Sequence, residues 1–240
     1  MSSKRGTRKP TADGWQKAVE QVQKQEKTAE IIVSAKTPGQ KAYIQDIQNH
    51  DIVFCTGPAG TGKTAIAVGL GLQGLLRPES PFQKLIVMRP AKEACQEKIG
   101  YLPGDLCSKM EPWAGPVMDN MEVFLDKMTI RHLLAEGKVE IVPLAYARGR
   151  SFNRAFVIVD EAQNLCVQQM LMVLTRLGQG SKMVLNGDID QSDLMEVSGL
   201  ADALERLKGL EGVAFVELDG TDIVRHHLLA QIIERYVKKH

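Results

Sequence analysis

Two short segments carry residues able to handle a phosphate ester. The first is Gly57-Pro58-Ala59-Gly60-Thr61-Gly62-Lys63-Thr64, a complete G-x-x-x-x-G-K-[ST] pattern. Glycines at 57, 60 and 62 permit backbone torsions that turn several N–H groups toward one anion. Lys63 can neutralise β- and γ-oxygens of a nucleoside triphosphate, and the Thr64 hydroxyl can ligate Mg²⁺. The second segment is Phe156-Val-Ile-Val-Asp160-Glu161, an apolar run ending in two acids. Asp160 suits the Mg²⁺ shell, and Glu161 can orient or deprotonate an attacking water. A third segment, Met183-Val-Leu-Asn186-Gly187-Asp188-Ile-Asp190-Gln191, places amides and acids where a γ-phosphate contact would report its loss. No N-K-x-D guanine-reading motif occurs, so ATP is expected in preference to GTP.

These groups can cooperate only if one scaffold brings them together. From residue 51 onward, short Val/Ile-rich runs alternate with amphipathic stretches. The runs Ile52–Cys55, Leu85–Met88, Val139–Val142, Phe156–Val159, Met183–Leu185 and Val213–Val216 are expected as strands covered on both faces. Helices are expected at 63–76, 116–135, 167–177, 199–208 and 222–238, with a shorter one from Gln40 to Ile47. The alternation predicts an α/β fold, a mainly parallel sheet with helices on both faces. Ligands of such sheets sit beyond the carboxyl ends of the strands. That rule puts Asp160 and Glu161 beside the phosphate loop, whose following helix directs its positive end at the anion.

With 240 residues and 44% hydrophobic content, the chain can bury a substantial core. Its 25% charged residues and formal net charge of +1 argue against overall disorder and leave the question of a nucleic-acid partner open. No run approaches the roughly 18 apolar residues of a membrane helix. The N-terminus has charges but no apolar segment behind them, so no secretory signal is expected. The four cysteines, Cys55, Cys95, Cys107 and Cys166, form no C-x-x-C pair; with the missing signal this points to reducing cytoplasm, and the lack of a long apolar run to no membrane. Residues 1–36 read as a basic arm followed by a mostly solvated helix over Ala12–Ala35; the ATPase-like domain is expected over 37–240.

Taken together, the motifs resemble those of the PhoH-like family. The matching segments include Thr37-Pro-Gly-Gln40, the phosphate loop, Met88-Arg89-Pro90, Gly100-Tyr-Leu-Pro-Gly-Asp-Leu106, Pro143-Leu-Ala-Tyr-Ala-Arg-Gly-Arg150, Val159-Asp-Glu-Ala-Gln-Asn164, Gly187–Leu194 and Val224-Arg-His226. The resemblance implies a RecA-like P-loop ATPase similar to the first motor lobe of superfamily 1 helicases. It further implies that Gln40 contacts adenine, that Gln191 contacts the γ-phosphate, and that Arg225 stabilises the charge of the transferred phosphate. RNA is the partner it favours, because some relatives carry a fused RNase or RNA-binding domain.

The expected cofactors are therefore ATP and Mg²⁺, with Lys63, Glu161, Gln191 and Arg225 as catalytic residues. A single lobe lacks the opposing charge of a two-lobe cleft, so a homo-oligomeric ring, expected as a hexamer, would complete the site. Arg148, Arg150, Arg154 and Arg176 are the candidates for that trans role or for nucleic-acid contacts. Three functions compete: a ring motor on RNA or single-stranded DNA, an ATP-dependent assembly platform for a nuclease or other partner, and a nucleotide or polynucleotide kinase. The position of Glu161 suits water attack better than an acceptor alcohol.

Overall fold

The computed structural model describes residues 30–90, 106–192, 194 and 197–224. Its centre is a sheet of six parallel strands: β1 (Ile52–Thr56), β2 (Lys84–Arg89), β3 (Val139–Pro143), β4 (Ala155–Val159), β5 (Lys182–Gly187) and β6 (Val213–Glu217). They lie in the order β3-β2-β4-β5-β1-β6. Every expected strand is present, each slightly longer than the apolar run that signalled it. The runs are continuous because both faces are covered. Val53 and Cys55 of β1 face one core, while Phe54 between them faces the other. Leu85 and Val87 of β2 alternate with Ile86 and Met88 in the same way. Full burial of each such side chain contributes about 1.5–3 kcal/mol.

Three helices take the first face: α1 (Pro38–Asn49), α2 (Lys63–Leu76) and α3 (Leu106–Glu122), followed by α4 (Lys127–Ala135). Thr37 caps α1 by accepting the Gln40 N–H at 3.1 Å, with Pro38 in the first turn where its missing donor costs nothing. The second face carries α5 (Val167–Leu174) and α6 (Gly199–Arg206), each ending a few residues before the expected point.

Three expectations need correction. The single helix expected at 116–135 is two helices. Asp126 interrupts it by accepting the N–H groups of Met128 and Thr129, starting α4 afresh. Helix α3 also begins at Leu106, with Pro112 and Pro116 inside it; burial of Val117 and Met121 outweighs the local penalty of proline. Residues 30–35, the described end of the expected N-terminal helix, are not helical. Ile31 is buried and Ile32 is 70% exposed, an alternation of period two, and Gln73 Nε2 donates to the Ile31 carbonyl at 2.7 Å. At the other end, residues 220–222 form a 3₁₀ turn and Ile223 and Val224 are non-helical; the rest of the helix expected there lies outside the described residues.

Strand β5 lies between β1, which leads into the phosphate loop, and β4, which ends in the two acids. This is the RecA-like arrangement, with its crevice at the carboxyl ends of β1, β5, β4 and β2. Among the described residues no helix is long and apolar enough to cross a membrane.

Candidate active site

Strand β1 delivers the phosphate loop into a tight enclosure. A Cβ on Gly57, where φ is 142°, would lie 2.2 Å from the Leu218 carbonyl oxygen, so only glycine fits beside the end of β6. Gly62, at φ 85°, turns the chain into α2. The outer side of the loop is tied down from two distant segments. Gln40 Nε2 donates to the Thr61 carbonyl at 2.9 Å, and the Val224 N–H donates to the Gly60 carbonyl at 3.1 Å. Lys63 Nζ reaches back to the carbonyls of Gly57 and Pro58 at 2.6 and 2.9 Å. Burial lowers the Lys63 pKa, opposed by the negative charge of nearby Asp188, Asp160 and Glu161. An arriving phosphate supplies better acceptors than the two carbonyls and restores a full counter-charge.

Across the crevice, Asp160 lies at the end of β4 with 6% of its surface exposed. Its Oδ1 accepts the Thr64 hydroxyl at 2.8 Å. Burial raises its pKa, while the Thr64 hydrogen bond and Arg89 act in the other direction. Burial likewise raises Asp188, with Lys63 opposing. Thr64 and Asp160 thus present two hard oxygen donors side by side, which fits Mg²⁺ completed by phosphate and water ligands. Among the described residues there is no cluster of three His, Cys, Asp or Glu side chains that would hold a metal by itself. When bound there, Mg²⁺ would neutralise charge on the β- and γ-phosphate oxygens.

Glu161 is held unusually. Its backbone is left-handed, at φ 58° and ψ 39°, a strained conformation for a residue with a side chain. The turn aims the carboxylate into the crevice, where 44% of it is exposed. Gln163 Nε2 donates to Oε2 at 2.7 Å, and an Arg89 guanidinium nitrogen lies 3.5 Å from Oε1. Arg89 Nε is also 3.4 Å from Asp160 Oδ2, so one arginine spans both acids. Gln163 in turn accepts the Asp188 N–H at 3.1 Å, linking Glu161 to the turn after β5. In that turn Gln191 Nε2 donates to Asp188 Oδ2 at 2.8 Å. Asn186, at the end of β5, accepts the buried Tyr43 hydroxyl at 2.6 Å.

These ends line one cleft of about 400 Å³. Its walls include Lys63, Thr64, Arg89, Asp160, Glu161, Asn186, Asp188 and Gln191, with Asn120 of α3 and Val224 at the rim. Folding therefore brings the phosphate loop, both acids and Gln191 to one cleft.

Residues 32–237 match the family described as PhoH-like protein. The chain belongs to the PhoH-like family. It is 52% identical over 207 residues to a PhoH-like protein of Synechocystis, covering 85% of this chain and 62% of that relative. Identity to a PhoH-like protein of Bacillus subtilis is 47% over 209 residues, covering 86% and 65%. The Escherichia coli protein PhoH is 40% identical over 208 residues, covering 85% and 58%. This PhoH-like chain thus spans less than two thirds of the length of these relatives. Among solved structures, a large terminase from a thermophilic bacteriophage aligns at a TM-score of 0.45 and 12% identity, covering 83% of this chain and 49% of that one. The Candida albicans Pif1 helicase aligns at 0.39 and 18%, covering 79% and 40%. Likeness at that level adds nothing to the fold described above.

Gln40 lies behind the phosphate loop. It is 4% exposed, and its amide is engaged inside the protein, Nε2 on the Thr61 carbonyl and Oε1 on the Lys36 N–H at 2.8 Å. It braces the back of the phosphate loop and is not among the residues that line the cleft. Arg225 lies outside the described residues. None of the four other candidate arginines lines the cleft of its own chain. Arg150 pairs with Glu140 at 2.6 Å and lies 5.0 Å from the Phe152 ring centroid. Arg176 binds the carbonyls of Met172 and Arg150, and Arg154, which precedes β4 at the opposite sheet edge, approaches the Pro81 carbonyl at 3.3 Å. Arg148 is exposed.

Arg89, Gln163 and the Tyr43–Asn186 pair were not assigned roles from the motifs. Arg89 carried a usable signal, since it is a charged residue closing an apolar strand, as Asp160 is. Gln163 carried none, because its value comes from bonding two segments 25 residues apart.

Proposed function

We propose that this PhoH-like chain hydrolyses ATP with Mg²⁺ and couples the cycle to movement or remodelling of RNA or single-stranded DNA, as a homo-oligomeric ring. The observation that carries the hydrolytic part is Glu161. A carboxylate held by Arg89 and Gln163, on a strained turn directly after the Thr64-bonded Asp160, suits activation of a water in line with the terminal phosphate. In this reading Lys63 leaves the loop carbonyls for the phosphates, and Gln191 and Asp188 sense the terminal phosphate from the turn after β5. Among the described residues the cations lining the cleft are Lys63 and Arg89, and Arg89 lies against the acids. The charge that develops on the transferred phosphate therefore calls for a further cation. Arg225, to which the family resemblance gives this role, supplies it in cis, and a neighbouring subunit supplies another from among Arg150, Arg154 and Arg176.

The test is ATP turnover with and without single-stranded RNA or DNA, alongside mass in solution with nucleotide. We expect Mg²⁺-dependent hydrolysis that rises with the oligonucleotide and with protein concentration as subunits associate. Mixing whichever of Arg150→Ala, Arg154→Ala and Arg176→Ala is inactive with inactive Glu161→Gln should restore partial activity, because some interfaces pair an intact glutamate with an intact arginine. Full activity from a chain that stays monomeric at every concentration would remove the ring, and absence of hydrolysis under all these conditions would remove the ATPase.

A further inference from the structure

The connection from β3 to β4 does not line the nucleotide cleft of its own chain, yet it begins beside it. Pro143, the last residue of β3, is in register with Arg89, the arginine that spans Asp160 and Glu161. The chain then enters a 3₁₀ turn, Leu144–Ala147. In such a turn residues three apart share a side. Leu144, at 3% exposure, and Ala147, at 0%, are that shared side and pack into the core. Tyr146 is left outward at 58% exposure. Arg148 follows it, exposed, and no hydrogen bond or ion pair of its guanidinium occurs among the described residues. The far side of the connection is anchored too, by Arg150 on Glu140 and over the Phe152 ring.

An exposed ring and an exposed guanidinium two residues apart are thus presented on a base anchored at both ends. We propose that Tyr146 and Arg148 form a platform for single-stranded nucleic acid, the ring stacking on a base and the guanidinium meeting a backbone phosphate. The platform rests on the nucleic-acid part of the function proposed above and says where the strand binds. Single strands are the fitting class, because a paired duplex buries the base faces that an aromatic ring would use. The register supplies the route to the active site. A strand bound on the turn after β3 bears on the neighbour of β2, and β2 carries Arg89 to the two acids.

The experiment is an anisotropy titration of fluorescein-labelled oligo(U) and oligo(dT), about 15 nucleotides long to span one such site. It compares the wild type with Tyr146→Ala, Tyr146→Phe and Arg148→Ala over a range of salt. Tyr146→Ala should weaken binding about 5- to 150-fold, the worth of one base stack, while Tyr146→Phe stays within about twofold. Arg148→Ala should weaken binding and lower the salt slope by about one. Tyr146→Ala should keep its nucleotide-only ATPase rate and lose the stimulation by oligonucleotide. Wild-type binding with Tyr146→Ala equally tight, or with Tyr146→Phe as weak as Tyr146→Ala, would overturn the platform and leave the nucleic-acid reading standing. A wild type that binds neither oligonucleotide overturns that reading and the platform with it.

Discussion

Replacing Gln163 by alanine removes one hydrogen bond to Glu161, the carboxylate proposed to activate water, and one to the turn after β5. The side chain is 2% exposed. Its Nε2 holds Glu161 Oε2 at 2.7 Å, and its Oε1 accepts the Asp188 N–H at 3.1 Å. The first is a charge-assisted bond of good length, worth about 1.5–3 kcal/mol. Arg89 cannot replace it, since its contact with Oε1 is 3.5 Å long, at the limit of a hydrogen bond. If that energy serves to hold Glu161 in line with the water, its loss lowers turnover about 10- to 150-fold. The second bond leaves a buried N–H unpaired, which costs about 1–3 kcal/mol of stability and lowers the melting temperature. Nucleotide affinity should change little, because Lys63, Thr64 and the loop are untouched. The assay is steady-state ATP hydrolysis beside equilibrium binding of a fluorescent ATP analogue. Gln163→Glu is the sharper variant: it keeps the shape but sets a second carboxylate against Glu161, so turnover should fall at least as far. Hydrolysis by Gln163→Ala within about threefold of wild type, with unchanged binding, would refute the link from Gln163 to the base.

Lys63→Ala should lose most nucleotide affinity, whereas Glu161→Gln should keep it and lose about 10²-fold or more in turnover, the usual effect of a positioned base; both are read by the same two assays. Asp160→Asn should abolish Mg²⁺-dependent turnover while raising the melting temperature of the nucleotide-free protein at neutral pH. The sign follows from the raised pKa of Asp160, which burial causes. A carboxyl that holds its proton more tightly when folded stabilises the fold below its unfolded value of about 4 and loses that stabilisation as pH rises through the folded value. The gap between the two melting curves should therefore close in acid, and a gap independent of pH would count against the cause. Gln40→Ala should weaken nucleotide binding and lower stability by about 1–3 kcal/mol, as the Thr61 carbonyl and Lys36 N–H lose their partner. The ratio of ATP to GTP turnover should stay as in the wild type; a shift toward GTP would restore Gln40 to the base.

Local pattern alone determined the sheet and the phosphate loop. All six strands were legible because a strand buried on both faces must be apolar at every position, as in Phe156–Val159, whatever surrounds it. The loop was legible because glycines at 57, 60 and 62 and the Lys63-Thr64 pair are demanded by the anion itself, and the acids because strand ends in a parallel sheet share one edge. What the pattern could not carry is contact between distant segments. The break at Asp126 depended on one carboxylate choosing two backbone donors over solvent. The bond from Gln40 to the loop depended on where α1 sits behind it, and its sequence neighbours say nothing of Thr61. Arg89, Gln163 and Asn186 acquire their positions only when β2, β4 and β5 align, because a hydrogen bond across 25 or 72 residues leaves no periodicity in the chain. Tyr146 reads as one more apolar residue until the packing of Leu144 and Ala147 leaves it outside. Spacing specifies what a residue can do; the side chains packed around it decide which of those things it does.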